Sequence, residues 1–342
     1  MSFGWGEAVW NIEAPTGGDD ASVASRPPVV HPPGEPGTSS MPSRDDVKRE
    51  TPVPELPPLG ADPDTGDVAR TALAKAVAHF VRHDHPTSFG VDPESVHQAR
   101  VALRRVRSYV RTFRPVLDAQ WAMEIRSEAA WYAADLGGVR DLDVLGERVA
   151  RDGGDLGDTG LLSELLQGER DEALRRLTTS ALSPRHDTLV EHLLSAADPP
   201  LRRRASRPAS KGCPPLLIRA WRDFKEAGRE AEHKPDDVRI HALRIRAKRL
   251  RYTADATSPA LGPSVGKIAS AAATLQDRLG VLHDAVVLQS WLEDRSKTHL
   301  ECAFEAGKLW AREADLVEIG RSQWHKEMRG VRKRWRGWRR RG

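Results

Sequence analysis

Two short runs of cations hold the chemistry of this chain. The first is His97, Arg100, Arg104, Arg105 and Arg107, extended by Arg111. At about 100° of rotation per residue, His97, Arg100, Arg104, Arg107 and Arg111 fall within an arc of about 80° on one helix face. Arg105 lies off that arc. Val106, Tyr109, Val110 and Phe113 fall on another face and can meet a core. Between Gln98 and Arg114 there is no acidic residue. Such a stripe works against its own helix, because like charges at i,i+4 cost a few tenths of a kcal/mol per pair. A solvated face ordinarily interleaves Glu with Lys. The stripe extends about 21 Å at 1.5 Å per residue, which suits a linear ligand with charge repeated along its length. Arginine meets phosphate oxygens through a bidentate fork, and lysine adds a point charge.

The run returns 144 residues later as His241, Arg244, Lys248, Arg249 and Arg251. Asp255 takes the place of the fifth cation. A second block, Leu136-Gly137 to Asp141, matches Leu279-Gly280 to Asp284 at an offset of 143. Upstream, Phe80 matches Phe224 and Lys75 matches Arg219, again at 144. Blocks in one order at nearly constant offset read as an internal duplication. The bland account of one stripe is a solvated basic face, or arginines neutralised by a neighbouring helix, with Asp135, Asp141 and Asp143 available. Two stripes facing a common axis would instead line a channel. His97 and His241 open their stripes at the same place. Each is either a structural hydrogen bonder or a group that gains a proton beside an anion.

These cations need helices to carry them, and the rest of the chain supplies an all-α pattern. Residues 1–66 hold 12 of the 24 prolines and a net charge of -7, with Trp5 and Trp10 near the start. Their composition predicts a disordered leader. From Asp67 apolar residues recur at helical spacing, broken near 86–93, 115–118, 152–160, 198–215, 234–236 and 258–264. Roughly eight helices are expected: a first four-helix bundle over 67–197, a linker over 198–215, a second bundle over 216–335 and a basic tail over 336–342. The two similar bundles would pair about a pseudo-two-fold axis. The last 22 residues carry +9, so residues 67–320 carry only about +2. Placement of charge, not its total, must carry any anion site.

The motifs His-x-x-Arg-x-x-x-Arg/Lys-Arg-x-Arg at 97–107 and 241–251, with the Leu-Gly block at 136–145 and its echo at 279–288, resemble the CHAD family, the conserved histidine α-helical domain. The resemblance covers about 67–335. It implies two similar four-helix bundles around a basic channel, binding of inorganic polyphosphate and association with polyphosphate granules. Carried over by position, the implied contacts are His97, Arg100, Arg104, Arg105, Arg107 and Arg111, with His241, Arg244, Lys248, Arg249 and Arg251. Lys75 and Arg219 join them by the internal match. Asp141 and Asp284 are read as buttresses that orient arginines. His283 and Val286 stand where the first half has Arg140 and Asp143, a departure that weakens the second block as ligand contact.

Catalytic alternatives find less support. Glu230-Ala-Glu232-His-Lys234 matches the signature of the triphosphate-processing CYTH domain, whose carboxylates belong on a barrel strand, whereas this string ends a helical run. His83-Asp84, His186-Asp187 and His283-Asp284 raise a metal phosphohydrolase, which needs several ligands converging on metal. No phosphate-binding Gly-Lys loop or nucleophile elbow occurs. The expectation is a binding protein without catalytic residues, cofactor or metal, its partner inorganic polyphosphate. Two cysteines, Cys213 and Cys302, give no disulfide framework. Without a secretory signal or membrane span, a cytoplasmic location is expected, with polyphosphate granules as the site of association. The alternative partner is nucleic acid, held by the stripe or by Arg332, Lys333, Arg334, Trp335 and Trp338, where bases could stack on rings between cations. That run also suits an anionic membrane surface, or an extension of the polyphosphate site.

Overall fold

The computed structural model describes residues 53–153 and 159–340, apart from the side chain of Asp152. The leader up to residue 52, with Trp5 and Trp10, lies outside the described residues. Ten α-helices follow: α1 (Thr65–His83), α2 (Pro93–Phe113), α3 (Ala119–Gly153), α4 (Gly160–Ala181), α5 (Pro184–Ser195), α6 (Ala209–His233), α7 (Asp237–Leu261), α8 (Pro263–Thr298), α9 (Ala303–Gln323) and α10 (His325–Arg339). Extended pairing among the described residues is limited to two isolated bridges, Asp64 with Pro208 and Leu117 with Leu201.

The all-α expectation holds, and the element list corrects its details. Among the described residues each half has five α-helices rather than four. The expected linker 198–215 shortens, because α6 already starts at Ala209 and contains Pro214 and Pro215. The carbonyls of Ser210 and Lys211, which those prolines leave without a partner, belong to exposed residues, so water can serve them. The break at 258–264 shrinks to Gly262, whose φ of 87° suits a residue without Cβ. Pro259 stays inside α7 because Ser258 Oγ donates to the Asp255 carbonyl at 3.0 Å, replacing the amide that proline lacks. Breaks near 182, 299 and 324 carry no Pro/Gly cluster and were not expected. The expected basic tail begins inside α10, which runs to Arg339, and its last two residues lie outside the described residues.

Three cores hold the helices. The first joins α1, α2, the first half of α3, the end of α4, and α5, through Leu73, Phe80, Val106, Phe113 and Tyr132. The second joins α6, α7, the first half of α8, and α10, through Phe224, Leu243, Leu250, Leu275 and Trp324. The third lies where the far ends of the two longest helices meet, with Leu145 and Val149 of α3, Leu288 and Trp291 of α8, and residues of α4 and α9. α3 has 35 residues and α8 has 36, so each is long enough to serve two cores. A buried ion pair, Arg148 with Glu313, joins α3 to α9. α7 also reaches across, since Tyr252 and Ala256 are buried in the first core. The two lobes are thus packed against one another, with α2 beside α7.

Candidate anion-binding site

The two stripes are set in phase by matching N-caps. Asp92 starts α2, its side chain accepting from the Glu94 amide at 3.0 Å. Asp236 starts α7, accepting from the Arg239 amide at 2.9 Å. Each cap lies five residues before its histidine. The predicted core face of α2 is buried: Val106, Tyr109, Val110 and Phe113 all pack inside. The charged face is left half-buried toward α7.

α2 and α7 touch directly. Arg104 Nε donates to the Tyr252 hydroxyl at 3.1 Å, and the hydroxyls of Thr112 and Thr253 lie 2.9 Å apart. Tyr109 and Tyr252 meet edge to face at 6.3 Å. The long helices close the sides. From α3, Asp141 Oδ1 accepts from Arg100 Nη1 at 2.8 Å. From α8, His283 packs on His241 with ring centroids 4.9 Å apart.

The cations of the two helices share one electrostatic neighbourhood. Burial drives the Lys248 ammonium well below the ordinary lysine range, and Arg244, Arg104 and Arg100 push it further down; Asp284 opposes them least. Burial also lowers Arg244; Asp284 opposes this most, Arg104 and Arg100 from α2 add to it, and Asp141 opposes it least. Arg244 Nε is buried without a hydrogen-bond partner. His241 is lowered to about 4 by burial, then by Arg244 and Lys248. His283 falls to about 2, through burial, Arg244, His241, Lys248 and Arg100. His97 is lowered by burial and by Arg140. Asp284 is raised, because its burial outweighs the help of Arg244. Positive charge has been gathered here beyond what the nearby carboxylates neutralise.

Of the acids available to neutralise the first stripe, Asp141 alone does so among the three named. Asp143 pairs with Arg170 at 2.6 Å, and Asp135 accepts from Ser180 Oγ at 2.6 Å. Asp141 acts as the expected buttress of Arg100, and Asp284 lies beside Arg244.

Not every predicted residue joins the group. Arg105 and Arg251 instead face Asp255, which burial raises and those two arginines lower. Arg251 Nε is 3.8 Å from its carboxylate, and Arg251 Nη1 donates to Gln276 at 3.4 Å. Arg107, Arg111 and Arg249 are half-buried on their helices. Lys75 on α1 and Arg219 on α6 are exposed, and neither is among the leading charges felt by the central cations. Conversely, His283 and Arg140 belong to the surroundings of the two motif histidines. Their signal was the 143-residue register, discounted because one half has Arg where the other has His.

The sequence motifs for catalysis disperse. Asp84 accepts from the Tyr132 hydroxyl at 2.8 Å and pairs with His186 at 2.7 Å inside the first lobe, far along the chain from His283-Asp284 on α8. Glu232 is engaged by both terminal nitrogens of Arg332 at 2.8 Å. Among the described residues no group of three or more His, Cys, Asp or Glu side chains is placed to hold a metal ion. Cys213 and Cys302 are both buried and free. No helix among them is long and apolar enough to cross a membrane. The stacking expected of the C-terminal tryptophans is corrected for Trp335, which is buried and stacked on Trp221 at 4.4 Å; Trp338 packs partly buried on Trp335 at 4.9 Å. Trp335, committed to the core, has no face left for a base, whereas Trp338 is only partly buried.

Fold and site together define an all-helical, two-lobed domain with under-neutralised cations between α2 and α7. Comparison with known proteins gives the family. The CHAD domain model matches residues 71–293, and the chain belongs to that family. Two uncharacterized proteins of Mycobacterium tuberculosis, MT2285 of strain CDC 1551 / Oshkosh and Rv2226 of strain H37Rv, are each 31% identical over 259 residues. The match covers 70% of this chain and 48% of each relative, so the chain spans about half the length of those proteins. Among solved structures, the CHAD domain from the plant Ricinus communis superimposes with a TM-score of 0.67 at 21% identity, over 81% of this chain and 95% of that one. PptA from Streptomyces chartreusis gives 0.64 at 21% identity, over 78% and 99%. These likenesses establish the fold.

Proposed function

We propose that this domain binds inorganic polyphosphate, without catalysis, in a groove between α2 and α7 whose two halves are related by a pseudo-two-fold axis. In the family resemblance, such binding holds the protein on polyphosphate granules. The observation that carries the reading is the state of Lys248 and Arg244. Both are half-buried, Lys248 feels Arg244, Arg104 and Arg100 ahead of Asp284, and Arg244 Nε has no hydrogen-bond partner. Withdrawing cations from water without neutralising them costs several kcal/mol per ion. A polyanion entering the groove would supply the missing charge. His97 and His241, neutral near pH 7 in the free protein, would be drawn toward their protonated forms by the same anion. Arg100 and Arg104 would complete a set of phosphate contacts from the opposite helix.

The test is binding of labelled polyphosphate to the full chain, wild type against Arg104→Glu with Lys248→Glu. We expect a loss of more than about 100-fold, the scale of two charge-assisted contacts at about 1.5–3 kcal/mol each. Affinity should fall with salt as bound cations displace counterions. Unchanged affinity in the double variant overturns the reading. So does displacement of the label by single-stranded DNA or RNA at equal phosphate concentration.

A further inference from the structure

α10 carries another row of cations that the groove between α2 and α7 does not use. Lys326, Arg329, Lys333 and Arg336, with Arg340 at the C-cap, follow the spacing i, i+3, i+7, i+10, i+14, the same as His97 to Arg111 on α2. They fall within an arc of about 80° and extend about 21 Å. All five are exposed. Met328, Val331 and Trp335 occupy the opposite face and are buried in the second core. Glu327, the one acid of this helix, lies off the arc beside Arg278 at 3.8 Å. None of the five cations makes an ion pair among the described residues. α10 is packed on α8 and α6, the latter through Arg332 with Glu232 and through Met328 against Gly228, whose missing Cβ leaves room for the methionine. Its outer face is therefore a separate surface from the groove.

The chemistry of that face selects its occupant. An amphipathic helix enters a membrane interface by burying its apolar side, and here that side is spent on the core. A single strand needs free rings to stack on, and here Trp335 is buried against Trp221 while Trp338 is partly covered by Trp335. A flexible phosphate polymer would have to be ordered on an open convex surface with no opposite wall. A nucleic-acid duplex is already rigid and presents one charge per about 1.7 Å of axis. We propose that the solvent face of α10 binds the phosphate backbone of duplex DNA, reading no base sequence.

The salt dependence of binding tests this on the full chain. With a short DNA duplex, five phosphate contacts give a slope of log K against log salt near about -4.5, since each contributes about -0.9. Replacing Lys326, Arg329, Lys333 and Arg336 by Gln should flatten the slope by about 3.6 and weaken binding more than about 100-fold at low salt. The same protein should keep its thermal transition and its polyphosphate affinity. A charge-matched control replaces Arg202, Arg203, Arg204 and Arg207, exposed cations between the lobes, by Gln and should keep duplex binding. Equal loss in both variants makes net charge the cause and overturns the proposal. So does an unchanged slope in the α10 variant, or loss of duplex binding in Arg104→Glu with Lys248→Glu alone, which would place the duplex in the groove.

Discussion

The α2 and α7 halves of the candidate site carry one sequence pattern and differ in how their charge is compensated. On α2, Arg100 has Asp141 at 2.8 Å and Arg104 has the Tyr252 hydroxyl at 3.1 Å. On α7, the equivalent Arg244 and Lys248 make no ion pair among the described residues; the raised carboxyl of Asp284 lies near both, Asp141 acts on Arg244 more weakly, and His241 rests on His283 where α2 faces Arg140. The α2 half is prepared by its own fold. The α7 half is left in deficit. Where a repeat keeps its cations and loses their neutralisation on one side, that side is where an anion gains most.

This comparison breaks most visibly at Lys248. Lys248→Met removes a half-buried, uncompensated charge. Replacing such ions by apolar groups of similar volume is often stabilising, by about 1–4 kcal/mol. The ligand-free variant should melt several degrees higher in a thermal scan while its polyphosphate affinity drops at least about tenfold, the scale of one charge-assisted bond. A lower melting point would mean the ammonium is already satisfied, and the deficit on α7 would be disproved.

Next in size is the response to acid. His241, at about 4, and His283, at about 2, are held below the ordinary histidine value of 6.5. Depressed values mean that the unfolded chain binds these protons first. Free protein therefore loses stability as pH falls from 6.5 toward about 4, and regains it as pH rises through that window. A polyanion raises both groups, so its affinity should increase as pH falls from 7.5 to 5.5, with net proton uptake measured by calorimetry in buffers of different ionisation enthalpy. His241→Gln with His283→Gln should flatten the profile. Affinity that declines on acidification would place the anion away from the histidine pair.

The smallest effect is expected on α2. Arg100→Met breaks a pair whose carboxylate is 41% exposed, so solvent already screens much of its energy. Stability should fall by about 1 kcal/mol or less, the opposite sign to Lys248→Met. Urea denaturation of both variants side by side shows whether the two halves differ in sign as argued.

Much of the site was legible from the chain. A stripe of cations opposite Val106, Tyr109, Val110 and Phe113 follows from 3.6 residues per turn and nothing else, and that face is buried as the period requires. The duplication was equally visible in the two cation runs and the Leu-Gly blocks, and the structure adds the matching N-caps Asp92 and Asp236. Helix ends were read well where a Pro or Gly cluster marks them and missed near 299 and 324, where none does, and near 182, where the marks are the single cap Ser183 and Pro184. Pro214 and Pro215 suggested a linker where solvent-exposed carbonyls let a helix form.

Periodicity is a property of one helix, so sequence alone determined which residues share a face. Neutralisation is a property of several helices at once, so only the packing of α3 and α8 against α2 and α7 decided which cations are paired. The same holds for Trp335: its place among basic residues advertised a ring for bases, and Trp221 from α6 took that ring into the core. Charge and ring stacking act through space over a few ångströms, between residues the chain order keeps far apart.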